Sequence, residues 1–199
     1  MKNLRISISG AVGSGKTTLT KELAAYFKID TIDENFADIH KARQNFILAQ
    51  KSKASAEEQK KAFKAWMDAY FSWIKSREFE YLSKKNFVAD RSEADLVAFW
   101  LRDFSKSKVD GNTLKLLNLF KLNSQKITHS FILPLLKDVP NKNEAGLERT
   151  KNLCVKIGGC AMIHGLISQF TITPVMFIPP KVSTVADKIA FIEKFIETH

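Results

Sequence analysis

Residues Gly10-Ala11-Val12-Gly13-Ser14-Gly15-Lys16-Thr17 match G-x-x-x-x-G-K-[ST] at every fixed position. Residues of these types at this spacing suit one task, the holding of a polyphosphate. The glycines let the backbone turn sharply and approach a ligand closely. Their N–H groups then converge on one anion-sized hollow. A helix starting near Thr17 adds its positive N-terminal end. Lys16 brings a point charge within reach of the β- and γ-phosphates. The Thr17 hydroxyl suits a magnesium ion, and Thr18 is a candidate donor to the α-phosphate. The expected ligands are ATP and Mg²⁺, held by residues 10–18. Lys16 is expected to face solvent.

Phosphoryl transfer to a hydroxyl needs more than this loop. It needs a metal anchor, a carboxylate to take the hydroxyl proton, and positive charge over the moving group. Two short clusters offer them, Asp33-Glu34 and Asp90-Arg91-Ser92. Asp90 is the expected metal anchor, with Thr17. Glu34 or Asp33 is the expected base, with Glu34 preferred. Arg91 keeps its charge at any relevant pH and can bridge carboxylate and phosphate. Arg149 follows a polar loop where a lid would supply a further cation.

These groups must be positioned by alternating strands and helices. Leu4, Ile6 and Ile8 alternate with polar residues, so 4–9 reads as the first strand. Leu19, Leu23, Ala24 and Phe27 recur at helical spacing over 17–28. A short second strand, 29–33, follows. Residues 35–83 carry a helical pattern with Phe63, Trp66, Tyr70 and Trp73 on one stripe, broken near 52–55. A third strand, 86–90, ends in the Asp90 cluster. Helices are expected at 93–104 and 114–122, and a fourth strand, buried on both faces, at 127–136. Residues 153–170 read as helical, 172–178 as the last strand and 183–197 as a closing amphipathic helix. This alternation predicts a parallel sheet covered on both sides, with the strand-end clusters and the loop facing one crevice.

Composition narrows the functional classes. Hydrophobic residues make up 45% of 199, enough for one core. The net charge of +10 leaves an anionic partner open, but the lysines form no run of five. Cys154 and Cys160 fit neither a C-x-x-C motif nor a zinc set and are expected as reduced core thiols. His40, His129, His164 and His199 form no cluster along the chain. No apolar run is expected to reach the length of a membrane span, and the N-terminus does not read as a signal peptide. A cytoplasmic location is expected. The stretch Asn141-Lys142-Asn143-Glu144 falls short of the guanine-binding N-K-x-D, which argues against GTPase switching.

The order of these features resembles a known group. The loop GAVGSGKTTL, the Asp33-Glu34 pair, the FVADRS stretch from Phe87 to Ser92, and the Asn143-to-Arg149 segment follow one another. Together they resemble the AAA-type P-loop kinases that include the ribosylnicotinamide-kinase domain of the NAD biosynthesis regulator. They are also similar to the deoxynucleoside kinases, which carry a like acid–Arg–Ser at the third strand. The resemblance implies an α/β, three-layer kinase-like fold with a mostly parallel five-stranded sheet. It implies one domain over 1–199, a helical acceptor-side insertion at about 36–84 and a lid at about 138–152. It puts the acid matching Glu34 near the acceptor hydroxyl and the Arg matching Arg149 in the lid. The 141–149 loop carries no Trp and one Arg, so the resemblance names no single acceptor.

The function expected is ATP- and Mg²⁺-dependent phosphoryl transfer to a nucleoside, nucleotide or ribosylnicotinamide-like molecule. The expected catalytic set is Lys16, Glu34, Asp90, Arg91 and Arg149. The expected partner is a small-molecule acceptor, with a homodimer allowed and neither membrane nor nucleic acid called for. A nucleotide-hydrolysing regulator and a nucleic-acid end kinase stand as alternatives.

Overall fold

Strand β1 (Arg5–Gly10) alternates Ile6 and Ile8 with Ser7 and Ser9. That two-residue period sends the two pairs to opposite faces of a sheet. The computed structural model describes residues 3–135 and 152–199. These form two units, one running to Asp33 and resuming at Lys84, the other spanning Glu34–Ser83.

The first unit holds β1, α1 (Lys16–Phe27), β2 (Asp30–Ile32), β3 (Phe87–Asp90), α4 (Glu93–Phe104), α5 (Asp110–Ser124), β4 (His129–Leu133), α6 (Leu153–Phe170), β5 (Val175–Phe177) and α7 (Val185–Thr198). The five strands pair in parallel in the order β2-β3-β1-β4-β5. The strand that leads into the phosphate loop therefore lies in the middle. Its Ile8 is in register with Asp90, and its Gly10 with Leu133. The three-layer α/β sheet expected from the alternation is the observed one, and every pairing in it is parallel.

One face of β1 closes a dry core. Ile6 and Ile8 pack with Val88, Phe131 and Leu133 from neighbouring strands, Leu19 and Leu23 from α1, and Ile192 and Phe195 from α7. The opposite face is polar at its centre. Ser7 Oγ donates to Ser130 Oγ at 3.0 Å, and the hydroxyls of Ser9 and Ser92 meet at 2.7 Å. Helices α4, α5 and α6 pack against one another, and α4 and α6 also contact β1.

The second unit is a helical hairpin of α2 (Ala37–Lys51) and α3 (Ala56–Ser83). The break expected at 52–55 is made by a reciprocal cap. Glu58 N donates to Ser55 Oγ at 3.2 Å, and Ser55 N donates to Glu58 Oε2 at 2.9 Å. Aromatic pairs join the two helices, with Phe46 5.3 Å from Phe63 and 5.5 Å from Trp66. Trp73 packs on Phe36 at 5.1 Å and donates its indole N–H to the Glu34 carbonyl at 2.7 Å. Arg77 is buried, with its guanidinium 5.0 Å from the centre of the Trp73 ring.

Several expectations are corrected. Helix α5 starts at Asp110 rather than 114, because Asp110 to Thr113 form its first turn despite their turn-like composition. Strand β4 stops at Leu133, short of the apolar run, where Pro134 cannot extend the ladder. Strand β5 keeps three residues of the seven expected. The cysteines are not core thiols: Cys154 is exposed and Cys160 half-buried. Among the described residues one helix, α6, is long and apolar enough to cross a membrane by length and composition, which the sequence reading did not expect. It buries Ile163, Leu166 and Ile167 and packs against α4.

Candidate active site

The phosphate loop leaves the central strand at Gly10, whose φ of 145° and surroundings both require glycine. A Cβ there would stand 2.9 Å from the Leu133 carbonyl oxygen, a backbone atom that cannot move aside cheaply. The loop closes with Ser14 N donating to Ala11 O at 3.2 Å. It enters α1 through Gly15, which sits in the left-handed region at φ 84°. No side chain caps α1, and its first turn carries no acidic residue. The amide groups of that turn therefore have the character of an anion site.

Lys16 departs from expectation. Its side chain does not face solvent: the residue is 4% exposed. The ammonium donates to Gly10 O at 3.0 Å and to Ala11 O at 2.8 Å. A buried ammonium must have acceptors, and the carbonyls of the loop are within the reach of its four-carbon stem.

Asp90 ends β3 beside the loop. The Thr17 hydroxyl donates to its Oδ2 at 2.6 Å. A hydroxyl and a carboxylate this close are hard oxygen donors that one small cation can share, so the pair fits magnesium. The uncapped first turn of α1 and the left-handed Gly15 fit a polyphosphate.

The next residue, Arg91, is a non-glycine residue in the left-handed region, at φ 67°. Its N–H donates to Ile8 O at 2.9 Å, which extends the β1–β3 ladder by one step. Its guanidinium donates from Nη1 to Asp95 Oδ1 at 2.9 Å and lies 5.3 Å from the Phe99 ring centre. Asp95 is fully buried. Its second oxygen accepts from Ser92 N at 3.2 Å, while Ser92 Oγ accepts from Ala94 N at 3.2 Å, so Ser92 and Asp95 form a capping box for α4. Glu93, also buried, accepts from Asn123 Nδ2 at 3.3 Å.

Helix α6 also reaches the loop. The Cys160 thiol lies 3.5 Å from His164 Nε2. Burial pushes that thiol up from its ordinary pKa, and Asp95 adds to the rise. Lys16 and the Ala11 backbone amide pull the other way. Burial holds His164 below its ordinary value.

The first unit thus brings together residues 10–18, Asp90 and Arg91 from the expected set. Asp33 is exposed where that unit's first segment ends. Glu34 is half-buried and opens the helical hairpin, tied there through its carbonyl to Trp73. Arg149, and all of the expected lid but its last residue, Asn152, lie outside the described residues. Asp95 and Ser9 were not singled out from the sequence, and Cys160 was read only as a core thiol. The spacing Ser92-x-x-Asp95 was the available signal for Asp95, since it has the form of a capping box.

A family model described as AAA domain matches residues 5–153. No curated protein matches the chain in sequence. Among solved structures, deoxyadenosine kinase from M. mycoides with the products dCMP and dCDP superposes with a TM-score of 0.65 at 14% identity. That match covers 98% of this chain and 100% of the other. Thymidylate kinase from Candida albicans gives 0.58 at 15% identity, covering 98% and 92%. The NadR protein, in complex with NAD and AMP-PNP, gives 0.55 at 14% identity; here 95% of this chain matches 49% of that one. At such identities the likeness is one of fold. That fold is the P-loop kinase fold, as the loop and the FVADRS stretch led one to expect.

Proposed function

The chain belongs to the AAA-domain family, and we propose that it is an ATP- and magnesium-dependent kinase for a small acceptor of the nucleoside or nucleotide type. The observation that carries this reading is the Thr17–Asp90 contact of 2.6 Å at the mouth of a G-x-x-x-x-G-K-[ST] loop. A loop that merely turned from strand to helix would need neither the hydroxyl nor the carboxylate. The kinase fold of its structural neighbours supports the same reading. A cytoplasmic location belongs to it, since ATP and such acceptors are held there.

In this reading the loop amides and the N-terminal turn of α1 bind the phosphates of ATP. Thr17 and Asp90 would hold magnesium. When bound, the ion supplies positive charge against the phosphate oxygens. Lys16 exchanges the Gly10 and Ala11 carbonyls for phosphate oxygens, which are charged and therefore stronger acceptors. Arg91 provides fixed positive charge at the end of β3. Glu34 takes the proton from the acceptor hydroxyl as its oxygen bonds to the γ-phosphorus and the bond from that phosphorus to the β,γ-bridging oxygen breaks, with ADP as the leaving group. Arg149 adds a cation from the 138–152 segment.

The test is an ADP-release screen with MgATP across nucleosides, nucleoside monophosphates, ribosylnicotinamide and short oligonucleotides. One small acceptor should raise ADP release well above the rate with water, and chelation of magnesium should abolish it. Stimulation by oligonucleotides alone would replace this reading with an end kinase. With the acceptor known, Glu34→Gln should slow transfer about 100-fold, the lower end for loss of a general base, because phosphoryl transfer is loose. ATP affinity should stay near wild type. Asp33→Asn is the control, and equal losses in both variants would remove Glu34 from this role.

A further inference from the structure

Helix α4 begins on a chain reversal that costs the backbone something. Arg91 is a bulky residue held at φ 67°, a conformation that persists where the surroundings over-determine it. The surroundings here converge on one side chain. Asp95 Oδ1 takes Arg91 Nη1 at 2.9 Å, and Asp95 Oδ2 takes Ser92 N at 3.2 Å and Ser92 Oγ at 3.4 Å. The Ser92 hydroxyl is itself anchored to the central strand, 2.7 Å from Ser9 Oγ. One carboxylate thus ties the guanidinium, the turn and β1 into a single unit.

That carboxylate is fully buried, and Arg91 is nearly so. Burying two charges is expensive, and well-packed apolar residues in their place are often as stable or more so. Capping α4 does not require the pair either, since the Ser92 hydroxyl already accepts from Ala94 N at 3.2 Å and a solvated acid would serve the box. What the pair does achieve is a fixed guanidinium. Arg91 lies just before the N-cap of α4 and Asp95 in its first turn, and the two charged groups meet at 2.9 Å. The rigid planar fork of arginine converts one such bond into a defined orientation of the whole group.

We propose that Asp95 is a positioning residue for phosphoryl transfer, holding the Arg91 guanidinium in place one residue beyond the Asp90 that takes the Thr17 hydroxyl. The proposal rests on the reading of Arg91 as a cation of the phosphate site. It assigns Asp95 no contact with substrate: its effect passes through Arg91.

The experiment is a double-variant cycle in the full chain, with Arg91→Ala, Asp95→Asn and the two combined, and with Asp95→Glu as the conservative variant. Turnover of MgATP with water as acceptor gives kcat and KM. Calorimetric titration with AMP-PNP gives nucleotide affinity without turnover, and thermal melting reports the fold. Misplacing a reacting group by about 1 Å costs up to about 100-fold, so Asp95→Asn should lower kcat by about 10- to 100-fold. KM for ATP and affinity for AMP-PNP should stay within about threefold, because the loop binds the nucleotide. In the Arg91→Ala background Asp95→Asn should change kcat by less than about twofold, since coupled residues do not add. Asp95→Glu should recover part of the rate. If Asp95→Asn does not fold, the combined variant and Asp95→Glu decide, as the former removes both buried charges and the latter keeps them. Multiplicative losses in the cycle, or a fall in melting temperature with kcat unchanged, would overturn the proposal and leave Asp95 a helix cap. Full turnover by Arg91→Ala would instead overturn the reading of Arg91 on which it rests.

Discussion

The two faces of β1 are made from the same six residues and follow different rules. Ile6 and Ile8 point into a dry core closed by α1 and α7. Ser7 and Ser9 point the other way, into hydrogen bonds with Ser130 and Ser92. The apolar face gains by exclusion of water, about 1.5–3 kcal/mol for each fully buried isoleucine. Its partners can vary in kind so long as volume is kept. The polar face gains little net energy per hydrogen bond, about 1 kcal/mol, but each bond has a direction. Through Ser92 that face sets where β3 ends and α4 begins, and so where Asp90 and Arg91 stand. Stability is concentrated on one side of the strand, and geometry on the other.

Variants can break this contrast. The largest effect is expected from Ile8→Ala. It should lower unfolding free energy by about 2–5 kcal/mol, as buried large-to-small changes do. AMP-PNP affinity of the folded fraction should hold. Denaturant melts and calorimetry check both, and a loss of affinity larger than the loss of folded protein would show that the faces are not separable. Lys16→Ala should do the reverse. Loss of one preorganised donor typically costs about 100-fold or more in turnover. Its melting temperature should fall by only a few degrees, since the side chain gives up two bonds to loop carbonyls. A Lys16→Ala protein with wild-type turnover would refute the phosphate role of the loop.

Ser7→Ala sharpens the comparison from the polar side. It removes one serine–serine bond deep in the sheet, and about 1 kcal/mol of stability should go with it. Turnover should stay near wild type, because Ser7 lies at the far end of the seam from Ser92. A rate loss matching that of Lys16→Ala would mean that the whole seam, and not its end, sets the site. The smallest effect concerns the thiols. Burial raises the pKa of Cys160, so less of it is thiolate at pH 8. Exposed Cys154 should therefore react with a maleimide several-fold faster, as mass spectrometry of the adducts would show. Equal rates would contradict the half-burial of Cys160.

The same contrast explains what could be read from the sequence. Periodicity records burial. It marked the alternation of β1, the helix at 93–104 and the helix at 153–170 with little error. The phosphate loop was legible because few tasks need two glycines, a lysine and a hydroxyl at that spacing. Periodicity does not record hydrogen-bond direction. Nothing in the strand pattern says that Asp95 turns inward to Arg91, since an acid in the first turn of a helix looks like a dipole partner at the surface. Lys16 was misjudged for a related reason: charge suggests solvent, while the loop carbonyls that accept its ammonium belong to Gly10 and Ala11, whose side chains advertise nothing. Apolar runs also overstate strands. Hydrophobicity continues past Leu133, whereas the ladder of β4 ends there.

The central position of β1 also has a consequence in time. Ser7 meets a partner 123 residues later in the chain, and Ser9 one 83 residues later. Contacts of such separation bear the entropy of closing long loops before they are rewarded, and folds rich in them form slowly. The G-x-x-x-x-G-K-[ST] residues are synthesised more than a hundred residues before Leu133, yet the backbone wall behind Gly10 is the Leu133 carbonyl. A nascent chain therefore carries the motif long before it carries the site. On the kinase reading, nucleotide would stabilise the finished sheet and would not recruit the early chain. Recovery of AMP-PNP binding during refolding should follow the slowest phase seen by any structural probe.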